Sequence, residues 1–125
     1  MFPPTRRSAA ALLGALVLGP AAWAQCAARS AITEADVRLF TTLARFDAVY
    51  HGHFKCNRNK LTEMPNLWGY ARDLYQRPGF GDTTDFDQIK RHYYCTHGGI
   101  NPSRIVPAGP VLDLDAPHGR EALAG

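Results

Sequence analysis

The sequence predicts an all-α fold of about three helices followed by a proline-rich tail. Three observations carry that expectation. A capping pair, Thr33 and Asp36, heads a run in which apolar residues recur at helical spacing as far as Tyr50. Two further stretches open on helix-starting residues, at Pro65 and near Thr84, and are stopped by Arg77-Pro78-Gly79 and by Gly98-Gly99. Beyond those glycines, prolines at 102, 107, 110 and 117 forbid a long helix or a central strand.

The first helix is expected from Thr33 to about Tyr50. In a capping box each of the two side chains satisfies the free backbone N–H of the other residue, which fixes the start. Ile32 before the cap and Val37 after it have the spacing of a hydrophobic staple. Val37, Phe40 and Ala44, with Leu39, Leu43, Phe46 and Tyr50, form two adjoining apolar stripes, so a buried central helix is expected. Arg38, Arg45 and Asp47 interrupt those stripes, and a structural pairing role is expected of them. The stretch from His51 to Lys60 has too many polar residues and too little periodicity for a core segment, and reads as a helix end and loop.

The second helix is expected over Pro65–Gln76, with Leu67, Tyr70, Ala71 and Leu74 as its buried face. The third is expected to start near Thr84, because Thr84 and Asp87 repeat the capping-box spacing, with Phe86, Ile89 and Tyr93 along one side. The tail is expected to be either an ordered wrap or a loose end.

The chain of 125 residues has room for one domain at most. Residues 1–24 have the features of a secretory leader: Arg6-Arg7, an apolar run from Ala9 to Leu18, and the small-residue triplet Ala22-Trp23-Ala24. That run of about ten residues falls short of the roughly twenty that span a bilayer, so no transmembrane helix is expected. Outside this stretch the charge balance is 12 basic against 11 acidic residues. No basic stripe with interleaved aromatics is present, and a nucleic-acid partner is not expected.

Cys26, Cys56 and Cys95 are an odd number for a disulfide framework, and their spacings match no zinc-binding pair. His51, His53 and Cys56 are the most metal-like group, with His92, Cys95 and His97 a looser second, but neither has the spacing of a ligand set and no metal is expected. Cys56 and Cys95 each follow a helix, where the dipole disfavours a thiolate, so no catalytic nucleophile is expected. Tyr93 and Tyr94 differ in kind. Neighbours on a helix point about 100° apart, so one ring can pack inward while the other turns its hydroxyl toward a cleft. The alternative is that both are core aromatics with satisfied hydroxyls.

Several long motifs stand in order along the chain: Arg38 to Tyr50, His53-Phe54-Lys55-Cys56-Asn57, Pro65 to Tyr70, Arg72 to Gln76, Asp85-Phe86-Asp87, Ile89 to Tyr94, Ile100-Asn101-Pro102 and Asp113 to Arg120. Together they resemble the glutathionyl-hydroquinone reductases, the xi class of glutathione transferases. The resemblance implies that residues 32–120 form the later part of the C-terminal helical domain of such an enzyme. In that family a thioredoxin-like domain binds glutathione, the co-substrate, and carries the reactive cysteine, while the helical domain forms the second wall of the substrate cleft. The resemblance further implies that Tyr93 donates its hydroxyl to the quinol oxygen of a glutathionyl-hydroquinone, and that the protein is cytoplasmic and able to form a homodimer through the helical domain. Cys95-Thr96 departs from the small residues of the family pattern. With the thioredoxin-like domain and its cysteine motif not recognisable in the sequence, the chain is expected to be inactive alone. The rival expectation is an exported, periplasmic or secreted, non-catalytic helical module that binds a partner, for which the leader is the distinguishing feature.

Overall fold

A computed structural model describes residues 31–121 of the chain. Helix α1 (Glu34–Arg45) runs without a break into a π-helical turn, Phe46–Tyr50, and then into the short α2 (His51–His53). A 3-10 turn at Leu61–Glu63 leads into α3 (Pro65–Tyr75), a second at Gly81–Thr83 precedes α4 (Phe86–Thr96), and among the described residues there is no strand. The 1–24 stretch and Cys26 lie outside the described residues.

The start of α1 follows from its cap. The Asp36 N–H donates to the Thr33 hydroxyl at 3.4 Å while the Thr33 N–H donates to the Asp36 carboxylate at 2.8 Å. The Tyr70 hydroxyl of α3 also donates to that carboxylate, so the cap is tied to a second helix. These bonds, first the side-chain bond to Thr33 and then that to Tyr70, hold Asp36 down to about 2, and burial with the Asp36 bond pushes Tyr70 up to about 12. The expected staple is not packed, since Ile32 and Val37 are 39% and 47% exposed. Leu39 is exposed as well, so the first two turns of α1 bury far less than the apolar stripes implied. Burial begins at Phe40.

Two small clusters form the core. Phe40 and Ala44 pack on Leu74 with Tyr70, Tyr75 and Phe80 around them, and Leu43 packs on Leu61 and Ala71 with Phe46, Met64 and Trp68. Phe40 and Phe80 meet edge to face at 5.0 Å, the arrangement that ring quadrupoles favour. The three charges within the first helix all have structural partners. Arg38 pairs with Glu34 on the surface, Arg45 donates to the Thr41 carbonyl, and the buried Asp47 accepts from the Leu61 N–H at 2.6 Å and the Thr62 N–H at 3.2 Å. Asp47 therefore satisfies the free N–H groups at the start of the 61–63 turn, a role that side chains near helix starts commonly fill.

α3 has nearly the expected bounds, and Ala71, Leu74 and Tyr70 of its expected face pack in the core, but the face is wider than expected and leaves Leu67 out. Leu67 is 40% exposed, while Gly69, Ala71, Asp73 and Leu74 are buried. The reason is the tail, which packs on a side of α3 that periodicity marks as polar. The Gln76 side chain donates to the carbonyls of Leu114 and Ala116 at 2.8 and 2.7 Å, and Asp73 meets Arg77 at 3.2 Å and Arg120 at 3.5 Å, with His118 beside it. Gly69 allows this approach, because a Cβ there would lie 2.8 Å from the His118 carbonyl oxygen. The tail is an ordered wrap, further held where Lys90 donates to the carbonyls of Pro107 and Ala108.

The cap of α4 is Asp85 and not Thr84: Asp85 accepts from the Gln88 N–H at 3.0 Å, and the Thr84 hydroxyl is taken by the Phe80 carbonyl at 2.7 Å. The capping-box spacing at Thr84 and Asp87 was one residue out of phase. Asp87 instead pairs with Arg91 on the exposed face.

Candidate functional site

The site forms where the far end of the first helical run meets the end of α4. A π-helical turn holds an extra residue and moves every later side chain around the axis, and such turns are frequent at functional sites. Here the turn buries Asp47, Ala48 and Val49 in succession and places Tyr50 beside Tyr93 of α4, ring centroids 6.0 Å apart at 82°. Where the helix ends, Lys55 takes a left-handed conformation (φ 62°) and the Cys56 N–H donates to the Tyr50 carbonyl at 3.1 Å. That exit leaves Phe54 packed edge-on against Tyr93 at 5.9 Å.

Tyr93 is half-buried within a box of rings. Besides Tyr50 and Phe54, His97 meets it at 5.4 Å and 83°, and His92 at 5.3 Å and 81°. Tyr94 turns to the other side, against His53 at 4.7 Å, with its hydroxyl 3.1 Å from where a Cβ on Gly52 would lie. Behind Tyr94, a cavity of about 220 Å³ is lined by Asp47, His51, Lys60 and Pro107 among others. A larger groove of about 410 Å³ lies between α1 and the 79–89 segment, lined by Val37, Phe40, Arg45, Phe80 and Ile89, and does not include Tyr93.

His53 is the residue most at odds with its sequence context, since it is 3% exposed in a segment too polar to be expected in the core. Its Nε2 lies 3.1 Å from Nδ1 of His97, and its own Nδ1 is buried with no hydrogen-bond partner among the described residues. Burial first, then the nearby His97 and Lys55, holds His53 below its ordinary value. Burial first, then the hydrogen bond to Tyr93, pushes Tyr50 up, and burial alone raises Tyr94. Hydroxyls of this kind stay protonated at neutral pH and serve as donors.

The two metal-like groups do not form as units. One histidine of each, His53 and His97, meets the other, and among the described residues no three His, Cys, Asp or Glu side chains gather to hold a metal ion. Cys56 and Cys95 are free and exposed, and the Cys95 thiol faces the Arg104 carbonyl at 3.9 Å. Sequence reasoning nominated Tyr93 but took Tyr50 for a core stripe and set His53 aside. No local spacing signals their meeting, because His53 and His97 are 44 residues apart.

An all-helical unit with a short aromatic site at one end is the class of structure these features define. A family model described as the glutathione S-transferase C-terminal domain matches residues 11–73, and the chain belongs to that family. The match begins inside the leader-like stretch. Among curated relatives, the glutathionyl-hydroquinone reductase YqjG of Escherichia coli K12 is 51% identical over 94 residues, covering 75% of this chain and 29% of the relative. The glutathionyl-hydroquinone reductase PcpF of Sphingobium chlorophenolicum is 47% identical over 83 residues, covering 66% of this chain and 26% of the relative. Of solved structures, a glutathione transferase from Gordonia bronchialis superposes with a TM-score of 0.74 at 75% identity, covering 75% of this chain and 30% of that one. The glutathione-bound structure of YqjG gives 0.70 at 51% identity, covering 74% and 30%. The chain thus spans less than a third of the length of these relatives.

Proposed function

We propose that residues 32–120 supply one wall of the hydroquinone-binding cleft of a glutathionyl-hydroquinone reductase, with Tyr93 as the hydroxyl donor to a quinol oxygen. The observation that carries this reading is the box around Tyr93: a half-buried hydroxyl-bearing ring with Tyr50, Phe54, His92 and His97 set edge-on about it. A flat aromatic substrate is favoured by such edges and faces, and a donor at their centre orients its oxygen.

Glutathione is the family's co-substrate, and none of the described residues is assigned to holding it. Cys95 lies in the last turn of α4 with its thiol facing the Arg104 carbonyl, and Cys56 lies just beyond α2, both exposed. No step through glutathione is assigned to this chain, and no turnover is expected from it alone. A glutathionyl-hydroquinone reductase activity of the purified chain that disappears on Cys56→Ser or Cys95→Ser would contradict that.

Binding is the direct test. A glutathionyl-hydroquinone titrated anaerobically onto the chain and followed by NMR is expected to perturb Tyr93, Tyr50 and His97. Losing one hydrogen bond of about 1.4 kcal/mol, Tyr93→Phe should weaken binding about tenfold. Equal affinity in the two proteins, or shifts confined to the groove at Phe40 and Phe80, would overturn the reading. The same reading makes the protein cytoplasmic, with two copies pairing through the helical domain. Mass spectrometry of the expressed protein, finding a start at Gln25, would instead favour use of the 1–24 leader and export.

A further inference from the structure

We propose that His97 is a positioning residue for Tyr93, locked by its bond to the buried His53, and that protonation of this histidine pair releases the hold. The inference rests on the reading of Tyr93 as the hydroquinone contact. His97 is tied to Tyr93 twice. As the C-cap of α4 its backbone N–H donates to the Tyr93 carbonyl at 3.3 Å, and its ring stands edge-on to the Tyr93 ring at 5.4 Å. Its ring also meets Phe54 at 5.8 Å and His92 at 6.3 Å, and its Nδ1 lies 3.1 Å from Nε2 of His53. His53 closes α2 and is itself edge-on to both Tyr93 and Tyr94, at 6.4 and 4.7 Å. The pair is therefore a link across 44 residues that sets the wall of the box containing Tyr93.

One proton serves that link. The two facing nitrogens at 3.1 Å make a hydrogen bond only while one carries hydrogen and the other a lone pair. When His53 alone is charged, its Nδ1–H becomes a donor with nothing to donate to, since that atom is buried without a partner. When both rings are charged, two N–H groups face each other and the bond is lost. The groups packed on the pair do not offset such a charge: Tyr93, Tyr94 and His92 from α4, Tyr50 against Tyr93 from the π turn, and Phe54 and Lys55 from its own turn include no carboxylate. Burial holds His53 below its ordinary 6.5, so the neutral, bonded form persists somewhat below that pH and is lost only as the pH falls through the lowered value.

The test uses the whole chain, a glutathionyl-hydroquinone as ligand, and a pH series from 7.5 down to 4.5. Affinity in the native chain is expected to hold near pH 6.5 and to fall once the pH passes below the lowered value of His53, by up to a factor of ten per pH unit, the limit for uptake of one proton. His97→Asn keeps an amide where Nδ1 stands, able to bond His53 but not to titrate. Whatever its affinity at pH 7.5, it should lose most of the fall with pH, whereas His97→Ala should bind weakly throughout. NMR titration of the His53 and His97 ring protons should show the two coupled in the native chain. A flat native profile, or an equally steep fall in His97→Asn, overturns the inference; should His97→Ala not fold, the asparagine variant alone decides. Failure of the underlying reading has a separate signature, native affinity in Tyr93→Phe.

Discussion

The two ends of the long helical run from Glu34 to His53 are built on opposite principles. At the first end the chain is exposed and regular, and a local device, the Thr33 and Asp36 cap, settles where the helix begins. At the second end the backbone departs from α geometry through Phe46–Tyr50, buries a carboxylate and a histidine, and depends on partners far away in the sequence. The difference teaches that this helix is started by its own residues and finished by tertiary contacts. The residues with chemistry gather at the finished end.

Substitutions can sharpen or break that contrast, and the largest effect is expected where it changes over. Leu43→Ala removes a side chain 6% exposed and should cost roughly 2–5 kcal/mol, while Leu39→Ala, 43% exposed and one turn earlier, should cost less than about 1 kcal/mol. Urea unfolding of the two variants measures both; similar losses would mean that the first end is packed as tightly as the second. Next, Asp47→Ala leaves the buried Leu61 N–H without its acceptor, and a loss of about 1–3 kcal/mol is expected in the same measurement.

The cap itself comes next. Thr33→Ala should cost roughly 0.5–2 kcal/mol in circular dichroism melts, against a change within about ±0.5 kcal/mol for the exposed Arg58→Ala. Equal effects would remove the cap as the organiser of the start. The smallest expected effect separates the ends by acid. His53 is held below 6.5, so the unfolded chain binds its proton first and stability at the second end is lost as pH falls below 6.5. Asp36, held down to about 2 from an ordinary 3.8, contributes above 3.8 and loses its contribution only as the pH falls toward 2. Melting temperatures from pH 7.5 to 2.5 should fall in two stages, the first absent in His53→Asn.

What the sequence made legible follows the same division. The cap at Thr33, the start of α3 at Pro65 and the structural role of Arg38, Arg45 and Asp47 are local facts or follow from charge within a helix, and these are found as expected. The staple at Ile32 and Val37 has the right spacing but no partner surface, and the cap of α4 sits at Asp85 because Phe80 engages the Thr84 hydroxyl. The π turn has no residue-type signature, since one extra residue in a turn looks like ordinary helical sequence. Without it, Tyr50 is assigned to the stripe of Leu39 and Leu43 and its meeting with Tyr93 is lost. Resemblance to a family named Tyr93, yet nothing in the spacing of His51, His53 and Cys56 or of His92, Cys95 and His97 says that one member of each will pair.

The tail strap has a consequence in time. Gln76 takes its carbonyl partners from Leu114 and Ala116, up to 40 residues later in the chain, and Gly69 and Asp73 are covered by His118 and Arg120. On a ribosome adding about 5–20 residues per second, those partners arrive roughly 2–8 s after Gln76 is joined. For that interval a newly made α3 carries an uncovered buried carboxylate and an open glycine notch. A nascent chain stalled before Leu114 would thus expose a side of α3 that the finished protein covers.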